Sequence, residues 1–475
     1  MKTVRLAAGL GFYGDAWEPV KAAIERGGAQ YVCSDHLAEL TLAILRKDQA
    51  RDAQAGYTRD LLPMLSALWP LAAPRGVRFV LNAGGLNPHG AGLALAQAFA
   101  ARGWRARIAV VEGDAQLERL DELIAAGADL AHMDTGAPLE TVRARLVFAN
   151  AYLGAAPIAQ ALAQGADIVL TGRVADAALF LGPLVHEFGW SLEPRDAAGL
   201  DRLAQGLAVG HLLECSGQGA GGNFGSQGAW ARVPDWQHIG YPIAEVGEDG
   251  SALVTKAPGS GGRVSFHTLR QQLLYEVHDP RAYFSPDVVL DMGELRLSDE
   301  GGDRVRVCGA RGRPRPPTLK LVAGYEDGWS AQTVVGFCWP DAHAKAQAVA
   351  AALRQQLDER RLAVDALRIE YLGHDCFLGP HARAPDAEAD EVWLRLAIRT
   401  RDRRVAEALP RLVPWLALSG PPYMGGFHGV GQPSQLLGLW PARVPRQLIE
   451  PRVRVHLLDP PPPSSVPAAA PTPAA

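Results

Sequence analysis

Asp35 and Glu39 stand four residues apart where an apolar run gives way to a helical pattern, so both carboxylates fall on one face of the first helical turn. Two close carboxylates raise one another's pKa and can move a proton as general acid or base; the same acids would also complement the positive end of a helix. Downstream, Thr171-Gly172-Arg173 leads to Asp176. Arg173 offers a planar, permanently charged fork that suits a carboxylate or a phosphate, with Asp176 either steadying it or closing an internal ion pair. Asp35, Glu39, Arg173 and Asp176 are therefore the candidate catalytic residues.

Four further stretches have the composition of binding loops. Asn82-Ala-Gly84-Gly85 follows an apolar run, with an amide to orient a carbonyl and glycines that let backbones approach closely. Thr171 and Gly172 flank Arg173 in the same manner. The glycine-rich run from Glu214 to Asn223 offers successive backbone N–H groups for an oxyanion, with Gln218, Gly221, Gly222 and Asn223 as its candidates. Cys215 lies in that run with His211 close in sequence, as a nucleophile and base would, although isolated cysteines are commonly buried and inert. Lys256, Gly259, Gly261 and Arg263 form a loop that opens a helix, which reads as an anion site or as a turn between domains.

Gly9-Leu-Gly-Phe-Tyr-Gly14 matches the glycine spacing of a dinucleotide-binding turn, and Asp35 lies where an acid would meet a ribose hydroxyl. Asp15 opposes that reading, because a carboxylate at the start of the first helix repels a pyrophosphate. NAD is thus disfavoured as a cofactor, and no other cofactor is implied.

The elements that must position these residues alternate. Apolar runs at Val4–Ala8, Gln30–Cys33, Val77–Asn82, Ala106–Val111, Leu146–Ala149 and Asp167–Leu170 are separated by helical patterns at Ala16–Arg26, Thr58–Trp69, Gly90–Arg102 and Gln116–Ala126. That order predicts an α/β fold with a doubly wound, mainly parallel sheet. Beyond about Gly240 two hairpins are expected, Ile243–Lys256 and Leu295–Gly309, and a third strand pair flanking Tyr325–Gly328. A helix over Asp341–Asp358 and strands at Leu367–Tyr371 and Val392–Ile398 follow. The expected organisation is a Rossmann-like α/β domain over 1–238, an α+β domain over 239–455 packed on it, and a Pro/Ala-rich disordered tail over 456–475.

Composition narrows the partners. The 475 residues carry 51 acidic against 47 basic side chains and no long run of like charge, which points away from nucleic acid and anionic membrane surfaces. The longest uncharged stretches are broken by Gly, Pro, Asn and Gln, and the five cysteines form no C-x-x-C. A cytoplasmic protein, a homo-oligomer acting on a small molecule, is the expectation. Neither G-x-S-x-G nor H-E-x-x-H occurs, and the histidines lack zinc-like spacing, so no metal site is expected.

Long blocks carry a resemblance: SDHLAELTLAIL (Ser34 to Leu45), the segment from Asn150 to Trp190, GHLLECSGQGAGGNF (Gly210 to Phe224) and the segment from Lys256 to Asp291. Together with the opening GLGFYGD they resemble the acyclic terpene utilisation AtuA-like family, over nearly the whole chain. At His36 an aromatic residue would be expected from that resemblance. The resemblance implies a role in the catabolism of branched terpenoid acids as coenzyme A thioesters, by hydration, isomerisation or carbon–carbon cleavage. The resemblance also implies, in many relatives, a further small ferredoxin-like domain, which this sequence is expected to lack. The alternative implied is a non-catalytic acyl-binding subunit that works with a small ferredoxin-like partner polypeptide; an NAD(P)-dependent oxidoreductase is the third reading.

Overall fold

Short runs of Val, Leu, Ile and Phe become strands buried on both faces, as parallel strands covered by helices must be. The computed structural model describes residues 2–225, 228–386, 388–428 and 432–458. The chain forms two compact units, one of Met1–Thr141, Val147–Ala323 and Trp440–Ala475, the other of Val142–Leu146 and Gly324–Leu439.

The first unit is built on a ten-stranded sheet. Its strands are Thr3–Ala8 (β1), Tyr31–Ser34 (β2), Arg78–Leu81 (β3), Ile108–Glu112 (β4), Ile168–Thr171 (β5), Pro242–Gly247 (β6), Ala252–Lys256 (β7), Arg296–Asp299 (β8), Val305–Cys308 (β9) and Arg454–Leu458 (β10). They lie in the order β8-β9-β7-β6-β1-β2-β3-β5-β4-β10. The central five, β1 to β5, pair in parallel, and antiparallel strands extend the sheet on both sides. The sheet as a whole is therefore mixed.

Helices Glu18–Glu25 (α1), Glu39–Gln49 (α2), Leu61–Ala72 (α3) and Pro88–Ala100 (α4) connect the first strands. Ala156–Ala163 (α5), Ala178–Phe188 (α6), Ala197–Glu214 (α7) and Phe266–Leu274 (α8) come later. α3 packs on α1 and α4, and α6 packs on α5 and α7. Their starts are written in the sequence: Asn87 accepts from the Gly90 N–H ahead of Pro88, Asp196 accepts from the Gly199 N–H, and Ser265 and Thr268 form a capping box. From Leu203 to Glu214 α7 is buried on every side, which carries its polar C-terminal residues into the interior.

Three expectations are corrected. The run at Leu146–Ala149 does form a strand (Leu146–Ala151), but it pairs with the strand that begins at Thr318 rather than joining the parallel block. No break falls at 238/239: both hairpins beyond it complete the first unit's sheet, because β6 pairs antiparallel with β1 and β9 with β7. The turn expected at Tyr325–Gly328 lies inside one continuous strand, Thr318–Cys338, where Gly328 takes a φ of +90° and the ladder resumes at Trp329 opposite Thr400. Of the tail, residues 456–458 end β10 and residues 459–475 lie outside the described residues.

The second unit follows a split β-α-β pattern. Strand Thr318–Cys338, helix Ala342–Glu359, strands Ala366–Leu372 and Glu391–Thr400, helix Arg403–Ala408 and strand Met424–His428 succeed one another. In the sheet, Glu391–Thr400 lies between Ala366–Leu372 and Thr318–Cys338, with Met424–His428 beyond, and all neighbours are antiparallel. Val335, Phe337, Leu353, Leu394, Leu396, Ile398 and Leu409 belong to its core. No helix among the described residues is long and apolar enough to cross a membrane.

Candidate functional site

The parallel strands end on one edge of the first unit, and there they carry three of the residues singled out above together with Asp114, which was not among them. β2 runs into Asp35, β3 into Asn82, β4 toward Asp114 and β5 into Arg173. Ligands of open α/β sheets bind at this edge. A cavity of about 580 Å³ lies here, lined among others by Glu39, Tyr152, Arg173, Asp176, His211, Glu214 and Lys320, with Leu207, Phe284 and three prolines as apolar wall.

Arg173 is the buried cation of this cavity, 2% exposed. Its Nη1 donates to the Leu37 carbonyl at 2.7 Å and to Asp176 Oδ1 at 2.6 Å. Its Nε is buried and has no acceptor among the described residues. The guanidinium carbon lies 4.0 Å from the centre of the Tyr152 ring, and Lys320 Nζ lies 4.7 Å from that same centre. The Tyr152 hydroxyl donates to Glu39, as does Lys320 Nζ at 2.8 Å. Burial would push the Glu39 carboxyl up, but Lys320 and Tyr152 bring it down to about 2. Glu39 is thus a fixed anion and a poor proton acceptor at neutral pH.

Asp35 is buried behind this layer. It accepts from Asn82 Nδ2 at 2.5 Å and from the Leu37 N–H at 3.1 Å. Burial, and then the nearby Asp176 charge, hold its carboxyl well above the usual range, against Arg173 and Asn82. Asn82 also accepts from the His36 N–H at 2.6 Å, so it orients Asp35 and its loop. His36 is itself enclosed, 3.0 Å from Ser34 Oγ and 3.4 Å from Asp60.

α7 pairs His211, considered above only as a base for Cys215, with Glu214, which was not a candidate for proton transfer. His211 Nδ1 lies 2.7 Å from Glu214 Oε1, and His211 Nε2 lies 3.1 Å from the Leu273 carbonyl. His211 is 1% and Glu214 6% exposed, and Glu214 Oε2 has no partner among the described residues. Burial raises Glu214 to about 7 although His211 opposes the shift; burial lowers His211, but Glu214 more than reverses this. In the sequence the two differ from other helix residues only by an i, i+3 spacing, which gives no sign of burial.

The other glycine-rich loops are occupied by the protein itself. Gly172 makes room for Asp114: a Cβ there would stand 2.5 Å from both carboxylate oxygens, one of which accepts the Arg173 N–H at 2.8 Å. Asp114 is raised to about 6 by burial. Thr171 donates to the Gly172 carbonyl, while the Gly84 and Gly85 amides donate to Thr171 and Asn82. The amides of Gln218, Gly221 and Gly222 close turns on Cys215, Gln218 and Gly217, so they form no open cradle. Gln218 and Asn223 line a separate cleft with Arg270 and Tyr275. Burial pushes the Cys215 thiol well up, which disfavours a thiolate. Lys256 is engaged by the Ser260 carbonyl at 2.7 Å and Asp303 at 3.1 Å, and Gly261 lies where a Cβ would strike the Asp235 carbonyl; Arg263 is exposed, and Gly259 has open space around it.

The opening turn is filled likewise. The N–H groups of Gly9, Leu10, Gly11 and Gly14 donate to the Cys33 carbonyl, Ser34 Oγ, Asp15 Oδ2 and Asp60 Oδ2. Asp15 stands where a pyrophosphate would have to accept. No group of three or more potential metal ligands occurs among the described residues.

An α/β protein with a charged cavity at the carboxyl edge of its parallel strands is the class that fold and site define. The chain belongs to the acyclic terpene utilisation family protein AtuA, whose model matches residues 4–455. No curated protein and no solved structure matches it.

Proposed function

We propose that the protein is a cytoplasmic enzyme of acyl-CoA catabolism that holds a branched or carboxylated acyl thioester in the 580 Å³ cavity. The observation that carries this reading is Arg173: buried, with Nη1 engaged and Nε without an acceptor, beside an apolar wall. A buried guanidinium that keeps donors free is a site for an anionic or strongly polar group, because an unpaired donor is costly to bury. The thioester carbonyl or a chain carboxylate answers that need, and Leu207, Phe284 and the prolines suit the alkyl branch. Hydration, isomerisation and carbon–carbon cleavage next to a thioester all need charge stabilised on the carbonyl and a proton moved nearby.

A dinucleotide is not part of this reading, since the opening turn has its amides engaged internally. The test is thermal unfolding against free CoA, branched and carboxylated acyl-CoAs, NAD(H) and NADP(H). A ligand at about 100 times its Kd stabilises by about 2.7 kcal/mol. The expected result is a raised midpoint with an acyl-CoA in the native protein that is lost in Arg173→Ala. A midpoint raised only by a dinucleotide, or an acyl-CoA shift unchanged in Arg173→Ala, would refute the proposal.

A further inference from the structure

Of the carboxylates at the cavity, Glu39 is neutralised by Lys320, Asp176 is bonded to Arg173 and Glu276 is exposed to solvent. Glu214 differs: one oxygen faces His211 and the other is buried without a partner. Leu273 contributes a carbonyl, which can only accept, so His211 Nε2 carries a hydrogen. The 2.7 Å contact between Nδ1 and Oε1 then holds one proton in common, as imidazolium and carboxylate or as imidazole and carboxylic acid. Both forms are neutral overall, which is why the pair can be buried at the end of α7.

We infer that Glu214, paired with His211, is the group that takes a proton from the carbon next to the thioester carbonyl and returns it; this rests on the thioester reading above. In the step, the Cα–H bond breaks, the proton passes to Oε2 of the carboxylate, and the electron pair moves into the carbonyl as an enolate. The enolate charge is offset by Arg173, and His211 stays an imidazolium until the proton is returned. No oxidant or further reactant is needed. The groups that face Glu214 are His211, Asp176 and Asp35, together with Glu276, Cys215 and the phenols of Tyr275 and Tyr283. Burial, and after it the carboxylates of Asp176 and Glu276, which oppose negative charge there, keep the carboxyl basic enough to act; the imidazolium keeps it from staying protonated.

The test is deuterium uptake at Cα of 3-methylglutaryl-CoA and isovaleryl-CoA in heavy water, followed by mass spectrometry with the full-length protein. Uptake should occur with a thioester that raises the thermal midpoint, speed up as pH rises through about 7, and slow by about 100-fold or more in Glu214→Gln. The midpoint shift itself should persist in that variant. A thioester that binds without uptake above the protein-free rate, or uptake unchanged in Glu214→Gln, overturns the assignment and leaves the binding reading standing. If that variant does not fold, a wild-type rate flat between about pH 5 and about pH 9 overturns it. Should no thioester bind, the proposed function fails first, and this inference with it.

Discussion

The guanidinium carbon of Arg173 lies over the Tyr152 ring, 4.0 Å from its centre, so the tyrosine supports the cation with its ring while its hydroxyl reaches Glu39. The ring and the hydroxyl therefore make separable contributions. Tyr152→Phe keeps the ring and removes one donor to a carboxylate that Lys320 still holds, which should cost about 1 kcal/mol of stability. Tyr152→Ala removes the ring as well and should cost roughly 3–5 kcal/mol. Urea unfolding of the two variants reads the difference.

Stability should fall as pH rises from acid to neutral. Asp114 and Asp287 have folded pKa values raised by burial to about 6, and Glu214 to about 7. A raised folded pKa favours the folded state fully below the unfolded pKa, near 4, and that contribution is lost as pH climbs through the folded value. Asp287 accepts the Ala155 N–H at 2.9 Å at the start of α5, a bond that an amide oxygen can also accept. Asp287→Asn should therefore flatten the slope between about pH 4 and about pH 7 by up to roughly 3 kcal/mol. Urea midpoints across that range test the sign; a slope as steep as that of the native protein would count against it.

At the other end of the scale stands Glu39, whose carboxyl is brought down to about 2. Its contribution is present above the unfolded pKa and is lost only as pH falls through about 2. Lys320→Met should move this loss to higher pH, visible as an earlier onset of acid unfolding by circular dichroism.

Gly172→Ala should destabilise by about 1–3 kcal/mol, since the new methyl meets a fully buried carboxylate rather than the end of a flexible chain. Calorimetry of the variant measures it, and Gly259→Ala is a useful contrast because that position has open space and suffers only from its φ of +74°.

Titration of NADH by fluorescence should give no change at any concentration that saturates ordinary dehydrogenases. The donors that would receive its pyrophosphate already bond Asp15, Asp60 and Ser34. Asp15→Ala would free the Gly11 amide and leave the Tyr241 hydroxyl only the Ala16 carbonyl as acceptor, so its main effect should be on stability.

Local pattern carried much of this protein. Strands β1 to β5, helices α1, α3 and α4 and the hairpins Ile243–Lys256 and Leu295–Gly309 were readable because apolar period and turn chemistry act over a few residues, whereas α7 was not among the expected helices. The long blocks around Asp35, Asn150 to Trp190 and Gly210 to Phe224 identified the family, and Arg173 with Asp176 stood out because charge after a buried strand is rarely idle. Tertiary structure decided what neighbours across the chain decide. It joined β6 to β1 some 240 residues apart, since sheet edges pair with whatever strand reaches them. It turned glycines of apparent binding loops into room for Asp114 and backbone. It chose among the acids as well: Lys320, remote in sequence, made Glu39 an inert anion, whereas burial of α7 on all sides made His211 and Glu214 a proton-sharing pair. Desolvation and charge pairing depend on distance in space, and spacing along the chain does not record it.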